Sequence, residues 1–222
     1  MKNSNPLIII LLGKSGSGKG TQAEFLRDKF GLEYIGSGDL LRERSEKEDF
    51  IGKKIADTLA KGGLIPTPAI LNLWLDKVEE LGNKEIFNGV IMDGNPRKIL
   101  EAYFIDETLE WYGWDKNVKV ILIDISDKEA IQRLTKRRIC ENCKEIIPFV
   151  GEFKNIEKCL KCGGELVQRN DDTVELAKNR LAWFKKDVQP IVNYYKKTGR
   201  LIKIKGEGTI EDIFKNILEA IK

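Results

Sequence analysis

An α/β fold is predicted for this chain, a five-stranded parallel sheet with helices on both faces, and three observations predict it. Short apolar runs alternate with segments of helical spacing along most of the chain, the pattern of strands joined by crossover helices. The first run, Leu7–Leu12, breaks into a glycine-rich turn, and a later one, Gly89–Met92, ends on Asp93; parallel sheets collect such groups at the C-terminal ends of their strands. Between Cys140 and Gly164 both periodicities vanish and cysteines and turn residues take over, which marks an insertion into the sheet-building pattern.

The elements have local reasons. After the glycine-rich turn, Ala23, Phe25, Leu26 and Phe30 recur at helical spacing until Gly31 ends the helix. Leu32–Ile35 reads as a short strand, with Ser37 or Asp39 as the expected cap of a helix beginning at Leu40. A second helical pattern, Ile51–Ala60, leads to the turn Gly62–Pro66, so residues 37–66 form a small helical insertion. Thr67–Leu81 is helical, with Pro68 tolerated in its first turn. The strand ending at Asp93 precedes an amphipathic helix over Ile99–Tyr112, and the strand Val118–Ile125 precedes a helix over Asp127–Arg138. Beyond the cysteines, Asp172–Lys197 reads as one long helix with a kink expected near Pro190. Leu201–Ile204 supplies the last strand and Thr209–Ile221 the closing helix. The expected organisation is a core of residues 1–36, 67–137 and 173–222, the insertion 37–66, and a cysteine-bearing unit over 138–172.

The turn Gly13-x4-Gly18-Lys19 has the make-up of a phosphate loop. Backbone N–H groups must close around phosphate oxygens, which an inward Cβ would block; Lys19 adds a fixed positive charge, and the helix starting here aims its positive end at the same point. Gly20 follows the lysine where motor ATPases and GTPases place the Mg²⁺-holding hydroxyl, which here arrives one residue later at Thr21. With 222 residues, 41% hydrophobic and 33% charged, the composition is that of a globular protein with one substantial core. No apolar run is long enough to cross a bilayer, and only a few residues precede the first strand, so no secretory signal and a cytoplasmic location are expected. A net charge of +3 announces no bulk nucleic-acid-binding surface, and the absence of histidine means that any chemistry runs without the commonest general base.

Cys140-x2-Cys143 and Cys159-x2-Cys162 are two knuckles at zinc-ribbon spacing. Four thiolates close a tetrahedral site and leave no position for water, so a structural Zn²⁺ is expected. Arg42, Arg97, Arg133, Arg137, Arg169 and Arg180 each stand beside a turn motif or the cysteine insertion, where an open sheet gathers ligands.

Together these motifs resemble the adenylate kinase family, in the form with a zinc-bearing lid. Gly13–Gln22 is similar to the family's phosphate loop, Ser37-Gly-Asp39 with Arg42 to its monophosphate-binding segment, and Gly62–Ile65 to the stretch along the acceptor base. Asp93-Gly-Asn-Pro-Arg97 resembles the family's Asp-Gly-Phe-Pro-Arg, and Arg133, Arg137 and Arg138 before the cysteines, with Gln168-Arg-Asn-Asp-Asp172 and Asn179-Arg180 after them, resemble its lid flanks. The resemblance implies a P-loop NTPase-type fold and reversible transfer of the γ-phosphoryl group of ATP, with Mg²⁺, to AMP. It implies that Lys19, Arg137, Arg169 and Arg180 surround the migrating group, that Arg42 and Arg97 hold the acceptor phosphate, and that Asp93 orders Mg²⁺ through water. Gly16, Ser17, Gly18, Gly20, Thr21, Arg133 and Gly208 would line the ATP site, and Ser37, Gly63, Leu64, Ile65, Gly94 and Glu101 the monophosphate site. Such a transfer needs alignment and charge neutralisation, not a strong base.

Three positions depart from the family pattern: Ser15 for proline, Asn95 for phenylalanine, and Glu101 for a base-reading glutamine. A carboxylate only accepts, so it meets the N6 amine of adenine but opposes N1, whereas guanine offers two adjacent donors. AMP is the expected acceptor, with GMP the first alternative and CMP or UMP next; if Glu101 faces solvent, Asn95 or backbone groups read the base instead. A remote alternative, a zinc-ribbon nucleic-acid-binding ATPase, is disfavoured because Gly94 follows Asp93 where a water-activating carboxylate would stand, and because the ribbon offers only two aromatics, Phe149 and Phe153, for stacking on bases. A monomer without nucleic-acid or membrane partners is expected.

Overall fold

The computed structural model describes residues 5–169 and 172–222; Met1–Ser4, and Asn170 and Asp171 of the motif above, lie outside the described residues. The chain runs β1 (Leu7–Leu12), α1 (Lys19–Phe30), β2 (Glu33–Gly36), α2 (Ser37–Ser45), α3 (Phe50–Ala60), α4 (Thr67–Gly82), β3 (Gly89–Asp93) and α5 (Ile99–Trp111). It continues through β4 (Val118–Asp124), α6 (Asp127–Lys136), the short strands β5 (Arg138–Cys140), β6 (Ile146–Ile147) and β7 (Leu166–Gln168), then α7 (Val174–Trp183), α8 (Gln189–Lys197), β8 (Leu201–Lys205) and α9 (Ile210–Ala220).

The main sheet has the order β2-β3-β1-β4-β8 and every pairing in it is parallel. The apolar runs are buried on both faces, as a parallel sheet covered by helices requires. Ile8, Ile10 and Leu12 of β1 face one cluster with Trp74 and Val78 of α4, Ile105 of α5 and Tyr195 of α8. Ile9 and Leu11 face the other, with Ala23 and Leu26 of α1 and Ile213 and Ile217 of α9. Leu11 is registered with Asp93 and Ile121, so the chain leaves β1, β3 and β4 at one common edge. The cysteine unit forms its own antiparallel sheet, β6-β5-β7, joined to the core through α6 and α7.

Three local expectations are corrected. α2 starts at Ser37 directly after β2, with Gly36 at its N-cap and no side-chain cap: both candidate caps are engaged elsewhere, Ser37 Oγ by Arg97 and Asp39 by Arg42. α6 stops at Lys136, because Arg137 turns extended and Arg138 already pairs in β5 with Ile147 and Gln168. The long C-terminal helix is two helices joined by a wide turn over Phe184–Val188, where the Gln189 N–H donates to the Phe184 carbonyl. Pro190 has no N–H to give and its ring would meet the carbonyl one turn back; the widened turn places it in the first turn of α8, where it is tolerated.

Candidate active site

The common edge of β1, β3 and β4 opens into a cleft of about 890 Å³ between the sheet, the helical insertion and the cysteine unit. The phosphate loop forms its floor. Gly13 has φ 153° and a Cβ there would lie 2.6 Å from the Ile123 carbonyl; Gly16 has φ 83° and its Cβ would meet α6 at the Ala130 carbonyl, 3.0 Å away. These two glycines therefore let the loop lie tight between β4 and α6. Lys19 Nζ reaches back across the loop to the Gly13 and Lys14 carbonyls at 2.9 and 3.0 Å. Burial lowers the Lys19 pKa from its ordinary value while Asp93 opposes the shift. Burial likewise raises Asp93, opposed by Lys19 and Arg97; the groups sit where charge is little screened.

Asp93 lies over the first turn of α1: a Cβ on Gly20 would be 3.7 Å from its Oδ2. Tyr34, the second residue of β2, donates its hydroxyl to the same oxygen at 3.4 Å. The turn that follows β3 has Gly94 at φ 81°, where a side chain would strike Ser37. This close approach lets Arg97 fold back, donating from Nε to the Gly94 carbonyl at 2.7 Å and from Nη2 to Ser37 Oγ at 3.4 Å, 5.5 Å from the ring centre of Trp183. Arg42, paired with Asp39, approaches from α2.

On the opposite wall Arg137 donates from Nε and Nη2 to the two oxygens of Asp172 at 2.8 and 2.7 Å, and Arg180 Nη1 donates to Oδ1 at 3.1 Å. Asp172 is fully buried, so one carboxylate ties the arginine ending α6 to the one on α7. Arg133 is held by Glu129 one turn earlier at 2.6 Å. The four cysteine Sγ atoms lie within 4.8 Å of one another, with pairs at 3.4 Å (Cys140, Cys162) and 3.5 Å (Cys143, Cys159). Tetrahedral bonds of about 2.3 Å to zinc require sulfurs about 3.8 Å apart, so the cluster fits that ion, and the separations are far beyond a disulfide. The Cys143 N–H pulls the Cys140 thiol down to about 6, while, against the Glu145 N–H, burial and the neighbouring thiols push Cys143 up to about 12, so without an ion the clustered thiols divide between one easily ionised and one protonated group.

The structure thus places Gly16, Ser17, Gly18, Lys19, Gly20 and Thr21 on the cleft with Asp93, Gly94 and Arg97. Arg133, Arg137, Arg169, Arg180 and Gly208 line it from one side, and Ser37, Arg42 and Gly63 from the other. Leu64, Ile65 and Glu101 line an adjoining recess that shares Ser37 and Arg97 with the cleft. Glu101 is 1% exposed, which excludes a solvent-facing glutamate: Oε2 accepts the Arg97 N–H at 2.7 Å and Oε1 the Thr67 hydroxyl at 3.2 Å. Asp172, Tyr34 and Lys14 carry geometry that the sequence reading did not assign. Lys14 Nζ donates to the Ile125 carbonyl at 2.5 Å and pairs with Asp127 at 2.9 Å, pinning the loop to the start of α6.

A phosphate loop at a parallel-sheet edge, facing arginines from α2, α6 and α7 in a chain without histidine, defines a P-loop phosphotransferase of the nucleoside monophosphate kinase class. The adenylate kinase family profile matches residues 11–200. The chain is 37% identical to an adenylate kinase of Chlamydia muridarum over 98% of this chain and 88% of that one. It is 38% identical to one of Caldicellulosiruptor bescii over 96% of this chain and 98% of that one. It is 36% identical to one of Archaeoglobus fulgidus over 96% and 99%. The chain belongs to the adenylate kinase family.

Proposed function

We propose that this cleft moves the γ-phosphoryl group of ATP reversibly to AMP, giving two ADP, with the residues above in the following roles. The observation that carries the reading is the convergence of the phosphate loop, the Asp93–Arg97 turn and the Arg137–Asp172–Arg180 clamp on one cleft. The loop N–H groups from Gly16 to Thr21 hold the donor phosphates, with Arg133 and Gly208 toward the donor base. Arg42 and Arg97 hold the acceptor phosphate, and Lys19, Arg137, Arg169 and Arg180 neutralise the charge that spreads over the transferring group. Ser37, Gly63, Leu64, Ile65, Gly94 and Glu101 shape the acceptor site.

Asp93 and Thr21 offer hard oxygen donors beside the loop, a set that suits Mg²⁺; bound with ATP it supplies charge neutralisation at the phosphates. Zn²⁺ on Cys140, Cys143, Cys159 and Cys162 would hold the lid's fold. Residues 138–172 act as that lid and residues 37–66 as the acceptor-binding insertion, closing on the core so that transfer outruns hydrolysis. The roles need one chain and small soluble substrates, which agrees with a monomer acting in the cytoplasm without a nucleic-acid partner. No helix among the described residues is long and apolar enough to cross a membrane. Incubating the protein with ATP, Mg²⁺ and each of AMP, GMP, CMP and UMP, with products separated, tests the reading: AMP is expected to give the fastest turnover, and faster turnover of another monophosphate would reassign the acceptor.

A further inference from the structure

The recess beside Arg97 has apolar walls from Leu41, Leu64, Ile65 and Ile70 and two buried polar side chains deeper in, Asn95 and Glu101. Their hydrogen bonding differs sharply. Both oxygens of Glu101 already accept, from the Arg97 N–H and the Thr67 hydroxyl. Asn95 is 2% exposed, yet neither its Nδ2 nor its Oδ1 has a partner among the described residues. A buried amide with both ends unengaged is unfavourable against an apolar side chain of the same size, and it is retained most simply where a ligand completes it. The apolar walls are suited to the faces of a planar ring, and the amide presents one donor and one acceptor side by side at its edge.

We propose that Asn95 is the residue that reads the acceptor base, its carbonyl accepting from the 6-amino group and its NH₂ donating to N1 of adenine. The proposal rests on the acceptor assignment above and adds the group that recognises the base. In this arrangement Glu101 is a positioning residue, holding the Arg97 backbone and Thr67 so that the Asp93–Arg97 turn aims Asn95 into the recess. At about 10 Å³ the recess is closed down around the polar pair, so a ring enters as the insertion carrying Leu64 and Ile65 draws away from that turn. An amide turned over would pair equally with O6 and N1–H of guanine, and the test separates the two.

The test compares AMP, GMP and purine riboside 5′-monophosphate, which lacks the 6-amino group, in wild type and Asn95→Leu. Wild type is expected to favour AMP over the purine analogue by about tenfold or more, the worth of one buried hydrogen bond. Asn95→Leu is expected to lose about 10- to 100-fold in kcat/KM for AMP, mostly through KM. Its AMP-to-analogue ratio should fall close to one, with the KM for ATP unmoved. Its melting temperature should equal or exceed that of wild type, because an unpaired buried amide has been removed. Asn95→Ser carries the same ratio test if the leucine variant does not fold. An unchanged ratio and unchanged KM for AMP in both variants would overturn the role of Asn95, as would a wild type that prefers GMP. A wild type that phosphorylates no monophosphate would instead remove the kinase reading itself.

Discussion

Replacing Asp172 with asparagine should disable the lid-side arginines while leaving the core sheet in place. The carboxylate is fully buried and receives two hydrogen bonds from Arg137, at 2.8 and 2.7 Å, and one from Arg180 at 3.1 Å. Removing one member of a buried ion pair costs roughly 3–5 kcal/mol, because the remaining charge is stranded. Here both guanidiniums border an open cleft and asparagine keeps one acceptor, so about 2–3 kcal/mol is the fair figure. If that energy is what holds both arginines in their transfer geometry, kcat should fall roughly 30- to 150-fold, while the KM values for ATP and AMP change much less. The assay is steady-state turnover in both directions beside urea unfolding followed by circular dichroism, which should show a smaller loss than the kinetic one because the arginines can relax toward water. A kcat within about threefold of wild type would refute the idea that Asp172 sets the arginine geometry.

Lys19→Met and Arg97→Ala should each abolish phosphoryl transfer and leave the circular dichroism spectrum unchanged, since each removes charge stabilisation without emptying an apolar core position; near-normal turnover by either variant would sink its assignment. Elemental analysis of protein purified without chelators should find one zinc per chain, and stripping it should melt residues 138–172 at lower temperature than the core; metal-free protein, or a disulfide between any two of the cysteines, would count against the lid assignment. Hydrogen bonds from Lys185 and Lys14 hold the Asp127 carboxyl below its ordinary value, so its contribution is present above the unfolded value of about 3.9 and is lost as pH falls through the lower folded value. Because the pair is partly exposed, Asp127→Asn should cost no more than about 1 kcal/mol at pH 7, and the melting curves of the two proteins should converge in acid; curves that stay apart at low pH would show that the variant acts through something other than this charge.

The sheet was legible because its signals are local. Leu7–Leu12 and Gly89–Met92 are uninterrupted apolar runs, and Val118–Ile125 is broken only by Lys119 and Asp124, the pattern of strands buried on both faces. The four cysteines announced their cluster by spacing alone. What escaped depends on partners far apart in the chain. Nothing near Ser37 says that its hydroxyl serves Arg97 and not the helix that it opens. Asp172 stands beside a second acid, Asp171, in its motif, and only the fold shows that this carboxylate joins Arg137 to Arg180. Glu101 is a helix glutamate, a residue type usually exposed, and its burial follows from Thr67 and the Arg97 backbone meeting it across two elements. Asn95 was visible as a departure from the family pattern, but its missing partners are a property of the packed turn.

The most direct test of phosphoryl transfer between two nucleotides in this cleft follows the phosphorus itself. With γ-labelled ATP, Mg²⁺ and AMP, the label should appear in the β-position of ADP formed from AMP, with two ADP made per ATP consumed and no release of inorganic phosphate in step with turnover. Label appearing as free phosphate at a rate independent of AMP would contradict the account, for it would mean that the cleft delivers the phosphoryl group to water.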